Sequence, residues 1–224
     1  MIALKNIHKV YDKDGVQTQA LGGISLSIDK SEFLMILGQS GSGKTTLLNI
    51  IGMIDTPTSG DYSFQGKNMA SLNLNELALF RRKEVGFVFQ SFNLISDMKV
   101  IENVEAPLGY MGIKSKERHK RSLEVLKKVS ISDKANRFPT QLSGGQQQRV
   151  AIARSLITAP SLILADEPTG NLDTKTTTEI MGLLSEINKQ GTTIVMITHN
   201  LDMLKYATRS LTISDGHLIN SATL

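Results

Sequence analysis

Four short, largely apolar runs recur along the chain: FLMIL at 33–37, VGFVF at 85–89, SLILA at 161–165 and TIVMI at 193–197. Each is too short for a buried helix and lacks alternation, which is the pattern of a strand covered on both faces of a parallel sheet. Each run gives way to polar residues: GQSGSGKTT, Gln90, Asp166-Glu167 and Thr198-His199. Open parallel sheets bind ligands beyond the carboxyl ends of their strands, so these four tips are expected to meet at one site. Ile180, Leu183, Leu184 and Ile187 keep the i, i+3, i+4, i+7 spacing of a helix buried on one side. Residues 2–10, 20–28 and 61–65 read as strands with little helix between them, and predict a small antiparallel sheet. From 91 to 158 the pattern turns helical, with Leu123, Leu126 and Val129 on one face and a further helix over Gln147–Leu156. The expected fold class is α/β, in a single domain. Residues 1–90 and 159–224 form a mostly parallel core with an N-terminal antiparallel β subdomain, and 91–158 form an inserted α-helical subdomain.

The charge pattern narrows the function classes. The net charge of +4 is mild, and the basic runs at Arg81-Arg82-Lys83 and Lys116–Arg121 read first as solvated faces. No base-reading motif or aromatic-interleaved basic patch is present, so nucleic acid is not an expected partner. The absence of cysteine excludes disulfides and cysteine zinc sites. The start, MIALKNIHKVY, lacks the apolar core of a signal peptide, and no stretch approaches the ~18 apolar residues of a membrane span. Any membrane role is therefore expected to run through a partner.

The chemistry begins with Gly38, Gln39, Ser40, Gly41, Ser42, Gly43, Lys44, Thr45 and Thr46. They contain the phosphate-loop pattern G-x-x-x-x-G-K-[ST] between a predicted strand and an apolar helix, as the motif requires. Glycines let backbone N–H groups wrap phosphates, Lys44 suits the β and γ oxygens, and the Thr45 hydroxyl suits magnesium. This makes the core a P-loop NTPase with ATP and Mg2+ as expected cofactors. Asp166 and Glu167 close an apolar strand, where carboxylates need a partner. Asp166 suits the metal side and Glu167 a water attacking the γ-phosphate, against the reading of an ordinary loop acid pair. His199 reads as a γ-phosphate contact or a structural histidine. Gln90 reads as a magnesium ligand, a water-positioning group or an exposed glutamine, and Tyr11 as an adenine-stacking or a core aromatic. In LSGGQQQ at 142–148, Ser143 and Gln146 have capping-box spacing, yet Gly144 and Gly145 suit a backbone that approaches an anion.

These segments together resemble the ATP-binding cassette, or ABC, family, over essentially the whole chain. GQSGSGKTT resembles its Walker A loop and SLILADEPTGNLD its Walker B strand with a D-loop at Asn171–Asp173. Gln90 is similar to the Q-loop, His199 to the switch histidine, Tyr11 to the A-loop aromatic and LSGGQ to the family signature. FVFQSFNLI and ADEPTGNLD resemble the branch of macrolide exporters and lipoprotein-releasing complexes, although Ser96–Lys99 stand where that branch carries a proline-containing stretch. The resemblance implies an ATPase with Glu167, His199 and Lys44 as catalytic residues. It implies a dimer in which Ser143, Gly144, Gly145 and Gln146 reach the ATP held by the partner, with Asp173 nearby. It also implies a separate membrane permease, a place on the inner face of the cell membrane, and export of a hydrophobic or amphipathic substrate. The alternative is an ATPase that passes conformational signals across the membrane without transport.

Overall fold

The computed structural model describes residues 1–224. In chain order the elements are β1 (Ile2–Lys13), β2 (Val16–Ile28), β3 (Phe33–Leu37), α1 (Lys44–Ile51), β4 (Ser59–Phe64), β5 (Lys67–Asn68), α2 (Leu74–Glu84), β6 (Val85–Phe89), α3 (Val100–Tyr110), α4 (Ser115–Lys128), α5 (Gly144–Leu156), β7 (Leu162–Asp166), α6 (Thr174–Lys189), β8 (Thr193–Ile197), β9 (Arg209–Ser214) and β10 (His217–Thr223). The four apolar runs become β3, β6, β7 and β8. Only β7 is displaced from its expected bounds, by one residue. Ser161 turns its hydroxyl to Glu84 at 2.7 Å, while Asp166 enters the ladder opposite Phe89 and Ile197.

A six-stranded sheet runs in the order β10-β9-β3-β8-β7-β6, with all neighbours parallel except the β10–β9 pair. Side chains that alternate along β3, β6, β7 and β8 enter two different cores. Phe33, Met35, Ile194 and Met196 face the helical layer of α3–α6. Leu34, Ile36, Val195 and Ile197 face α1 and the antiparallel sheet. Because both faces of β3, β6, β7 and β8 are covered, nearly every position in them is apolar and their sequences show no alternation. The second sheet, β2-β1-β4-β5, is antiparallel throughout, as expected for 2–10, 20–28 and 61–65.

Three two-residue hairpins share one device. Asp14-Gly15, Gln65-Gly66 and Asp215-Gly216 all have positive φ at both positions, the type I′ geometry whose twist matches that of the flanking strands. The last of them closes β9 and β10, which the apolar pattern did not announce. A helix, α2, also lies where only loop and strand were expected. Its apolar face is thin, with Leu77 its one buried residue, and a capping box of Asn73 and Glu76 starts it.

Gln148 ties the helical layer to the strand tips. It lies fully buried in α5 and its amide donates to the Pro168 carbonyl at 2.6 Å and the Phe89 carbonyl at 3.4 Å. Gln148→Leu strips the Pro168 carbonyl of its donor, while the Phe89 carbonyl keeps the Phe92 N–H at 3.2 Å, so unfolding free energy is expected to fall by about 2 kcal/mol. A urea midpoint at the wild-type value would show that these bonds contribute nothing.

Candidate phosphate-binding site

The sheet order decides which tips can meet. The β3 tip stands beside β8, then β7, then β6, at roughly 4.8 Å per step. The loop after β3, Gly38–Gly43, runs into α1 and lines a cavity of about 440 Å³ with Lys44, Thr45 and Thr46. Asp166 and Glu167 from the β7 tip, and His199 from beyond β8, line the same cavity. Thr18, Gln19 and Ala20 of β2 close its side. Gly43 sits at φ +100°, where a Cβ would lie 2.5 Å from the Ala20 carbonyl, so this step into the helix is open to glycine alone.

Lys44 is buried, yet no carboxylate pairs with it. Its ammonium donates to the Gly38 and Gln39 carbonyls at 2.8 and 2.5 Å. The Ser42 hydroxyl beside it is buried without any partner. A buried cation with only neutral acceptors at a helix N-terminus fits an anion with several oxygens, and so fits the phosphates of ATP.

Across the cavity, the Thr45 hydroxyl donates to Asp166 Oδ2 at 3.4 Å. Burial, with the charge of Glu167 next to it, raises the Asp166 carboxyl above its ordinary value, against the opposing pull of Thr45 and Lys44. A carboxylate in that state gains from a nearby cation. Thr45 and Asp166 offer hard oxygens suited to magnesium, and no cluster of three or more acidic, histidine or cysteine ligands exists anywhere in the chain. Phosphate oxygens and water would have to complete the shell. Glu167 takes a left-handed turn at φ 44° and brings its Oε1 to 3.2 Å from Nδ1 of the exposed His199. That turn points two residues from different strands at one place.

Other candidates lie elsewhere. Gln90, three strands from the phosphate loop, donates to Asn171 Oδ1 at 3.2 Å and packs on Gly170, so in this conformation it faces the segment after β7 and not the Thr45–Asp166 pair. Ser143–Gln146 are outside the cavity too. Ser143 Oγ accepts from the Gln146 N–H at 3.4 Å, and Gln146 Oε1 accepts from the Ser143 N–H at 3.1 Å, a complete capping box for α5. A Cβ on Gly145 would lie 2.3 Å from the Thr176 methyl, so one of the two glycines is required by contact with α6. The Gly144 position meets nothing closer than 3.3 Å and has no such demand. Asp173 is the N-cap of α6. It accepts from the Thr176 N–H and hydroxyl at 3.0 and 2.6 Å, bonds that hold its carboxyl below the ordinary value.

Tyr11 is inside β1, directly opposite Thr18 of the cavity wall, and is not a core residue: it is 41% exposed. Its hydroxyl donates to Asp55 Oδ2 at 2.8 Å and lies within reach of the Thr46 side chain. Burial and the Asp55 carboxylate raise its phenol above the ordinary value. Lys9, two residues earlier on the same strand face, also bonds to Asp55, at 2.6 Å. Sequence reading missed Asp55. The i, i+2 spacing could have placed Lys9 beside Tyr11, but nothing local ties position 11 to position 55.

Comparison with known proteins is direct. The ABC transporter family model matches residues 21–170. An uncharacterized ABC transporter ATP-binding protein of Methanocaldococcus jannaschii is 47% identical over 219 residues, 98% of each chain. The pyoverdine export ATP-binding/permease protein of Pseudomonas fluorescens is 47% identical over 98% of this chain, and a macrolide export ATP-binding/permease protein of Brucella melitensis is 44% identical over 100%. The chain spans 34% of the length of each of these two export proteins. Among solved structures, the dimeric ABC transporter cassette MJ0796 is similar at TM-score 0.92 and 44% identity, covering 100% of this chain and 99% of that one. A post-hydrolysis dimer of the same cassette bound to ADP and Pi matches equally well.

Proposed function

From the premise that the chain belongs to the ABC transporter family, whose ATP-binding subunits hydrolyse ATP, we propose that it drives a separate membrane permease exporting a hydrophobic or amphipathic substrate. The observation that carries the ATPase reading is the buried Lys44, without a carboxylate partner, facing Asp166, Glu167 and His199 across one cavity. The export reading draws on the relatives named for macrolide and pyoverdine export.

Family membership and the geometry of the cavity together support a role for each residue. Gly38–Thr46 cradle the triphosphate and Lys44 neutralises its β and γ oxygens. Thr45 and Asp166 would hold magnesium, which supplies charge neutralisation for the transferring phosphate. Gln90 would join them only after releasing Asn171. Glu167 accepts the proton of the attacking water, and His199 steadies that carboxylate from 3.2 Å and contacts the γ-phosphate. Tyr11 stacks on the base. Ser143–Gln146, outside their own chain's cavity, serve the ATP of a second copy, with Asp173 at the same seam. Residues 91–158 pass the resulting motion outward as a helical unit.

A groove supports the permease partner. It measures about 390 Å³ and lies between β6, α2, α3 and α5, floored by Phe87 and Phe89, with Arg81, Arg82 and Arg154 on its walls. Four of the eight arginines are in ion pairs: Arg118, Arg121, Arg149 and Arg209. The three in the groove bond to backbone carbonyls instead, Arg81 to Met53, Arg82 to Tyr110, and Arg154 to Phe92 and Asn93. Cations without counter-charges in a groove that Phe87 and Phe89 also line suit a short acidic segment of the permease. No helix of the chain is long and apolar enough to cross a membrane, so the inner-membrane face is proposed through this contact. Arg82→Glu is expected to cut recovery of the chain with its membrane partner at least tenfold, read by quantitative co-purification from detergent-solubilised membranes. Undiminished recovery would remove the groove as the docking site.

A further inference from the structure

Outside the phosphate cavity, on the strand opposite its Thr18 wall, Tyr11 is tied into a second cluster of polar side chains. Asp55 follows α1, anchored where its N–H and that of Ile54 donate to the Asn49 carbonyl at 3.3 and 2.9 Å. Its carboxylate is shared: Oδ2 accepts from the Tyr11 hydroxyl at 2.8 Å, and Oδ1 from the Lys9 ammonium at 2.6 Å and the Thr56 N–H at 2.7 Å. Lys9 bonds onward to the Thr56 carbonyl at 2.8 Å, and its ammonium lies 4.9 Å from the centroid of the Tyr11 ring. The Lys9 and Asp55 side chains are only 12% and 27% exposed, whereas Tyr11 is 41% exposed. Lys9 thus stands over the ring, the phenol end is tied down, and the ring keeps much of its surface exposed.

We propose that Asp55 and Lys9 are positioning residues for ATP: they clamp the Tyr11 ring so that its free face meets the nucleotide base. The inference rests on the stacking role given to Tyr11. The clamp has a second end. The Tyr11 hydroxyl also lies within reach of the Thr46 side chain in the first turn of α1, and Ile54 and Asp55 fold back onto the Asn49 carbonyl of that helix, so the ring is held from α1 as well as from β1. The Lys9–Asp55 pair is neutral overall, and Lys9, held by two acceptors, is not available to the phosphates.

The test separates base binding from phosphate binding. Asp55→Ala and Tyr11→Phe each remove the tether and leave the phosphate loop intact. Each is expected to raise the KM for ATP about fivefold, with kcat within about twofold, since a lost preorganising bond costs binding and not chemistry. The double variant should be no worse than Asp55→Ala alone, because Asp55→Ala already removes the bond that Tyr11→Phe removes, along with the hold on Lys9. Competitive inhibition by inorganic tripolyphosphate, which has no base, should not change in any of them. A KM at the wild-type value in both single variants, additive losses in the double variant, or an equal loss of tripolyphosphate affinity would each overturn the clamp. Tyr11→Ala distinguishes the two layers of the claim. If it leaves KM unchanged, the stacking role itself fails; if it raises KM while Tyr11→Phe does not, only the clamp fails. Tyr11→Phe alters one exposed hydroxyl, so the test survives even where Asp55→Ala does not fold.

Discussion

Glu167→Gln is expected to bind ATP as the native chain does and to release phosphate about a thousandfold more slowly, within the range that loss of a general base produces. The amide keeps the shape and the left-handed turn at φ 44° that carries the side chain into the cavity. It keeps an acceptor oxygen for His199, at 3.2 Å in the native chain. The amide lacks only a basic site for the proton of the attacking water. With ATP bound and not consumed, two copies should remain associated, so steady-state phosphate release and gel filtration with ATP measure both halves of the expectation. A variant that keeps more than a tenth of native turnover would falsify Glu167 as the base. His199→Ala should slow hydrolysis more than it weakens binding, because the exposed ring contacts the Glu167 carboxylate and makes no bond to the phosphate loop.

The second large effect appears in a mixture. Lys44→Ala removes the one buried cation of the phosphate loop, and Ser143→Arg places a long side chain on the signature. Each alone should be inactive. If each ATP lies between the phosphate loop of one copy and Ser143–Gln146 of the other, a mixed dimer gathers both lesions in one site and leaves the second site whole. Free exchange in an equal mixture makes half the dimers mixed, so activity should recover to roughly a quarter of native. Where one intact site does not fire alone, Glu167→Gln in both chains and ATP-dependent cross-linking of differently tagged copies give the same answer, with mixed dimers in excess. Ser143 also caps α5 within its own chain, and loss of such a cap costs about 1 kcal/mol. The thermal midpoint of Ser143→Arg must therefore be measured first. Neither recovery nor mixed dimers from two folded chains would leave Ser143 as a cap and nothing more.

The strands that carry the chemistry were legible because burial on both faces leaves no freedom of composition: FLMIL, VGFVF and TIVMI can hardly be read otherwise. The phosphate loop beyond the first of them was legible because phosphate binding imposes glycine, lysine and hydroxyl at fixed spacing. α2 was hidden because a helix with one buried residue has almost no periodicity; its Asn73–Glu76 capping box was the available sign. β9 and β10 were hidden behind mixed polarity, although Asp215-Gly216 between two runs is a hairpin signal. At the site, Gln90 could not be placed from sequence since strand order, not chain order, sets its separation from Lys44. Asp173 reads from the resemblance as a residue near the shared nucleotide, and within its own chain it caps α6, a second role that its Asp-to-Thr176 spacing could have announced. Lys9, Tyr11 and Asp55 meet only through the fold.

The division of each central strand between two cores gives the molecule its own set of spectroscopic reporters. Met35, Met181, Met196 and Met203 lie in the core beneath the helical layer, and Met53 and Met69 in the core shared with the antiparallel sheet. Their methyl groups sit in packed surroundings on opposite sides of a plate one residue thick. Carbon-13 labelling of methionine alone would therefore resolve which half of the molecule responds to nucleotide. A rotation of α3–α5 against the sheet registers in the first set of resonances while the second stays still, and the reverse holds for a shift of the sheet that carries Tyr11.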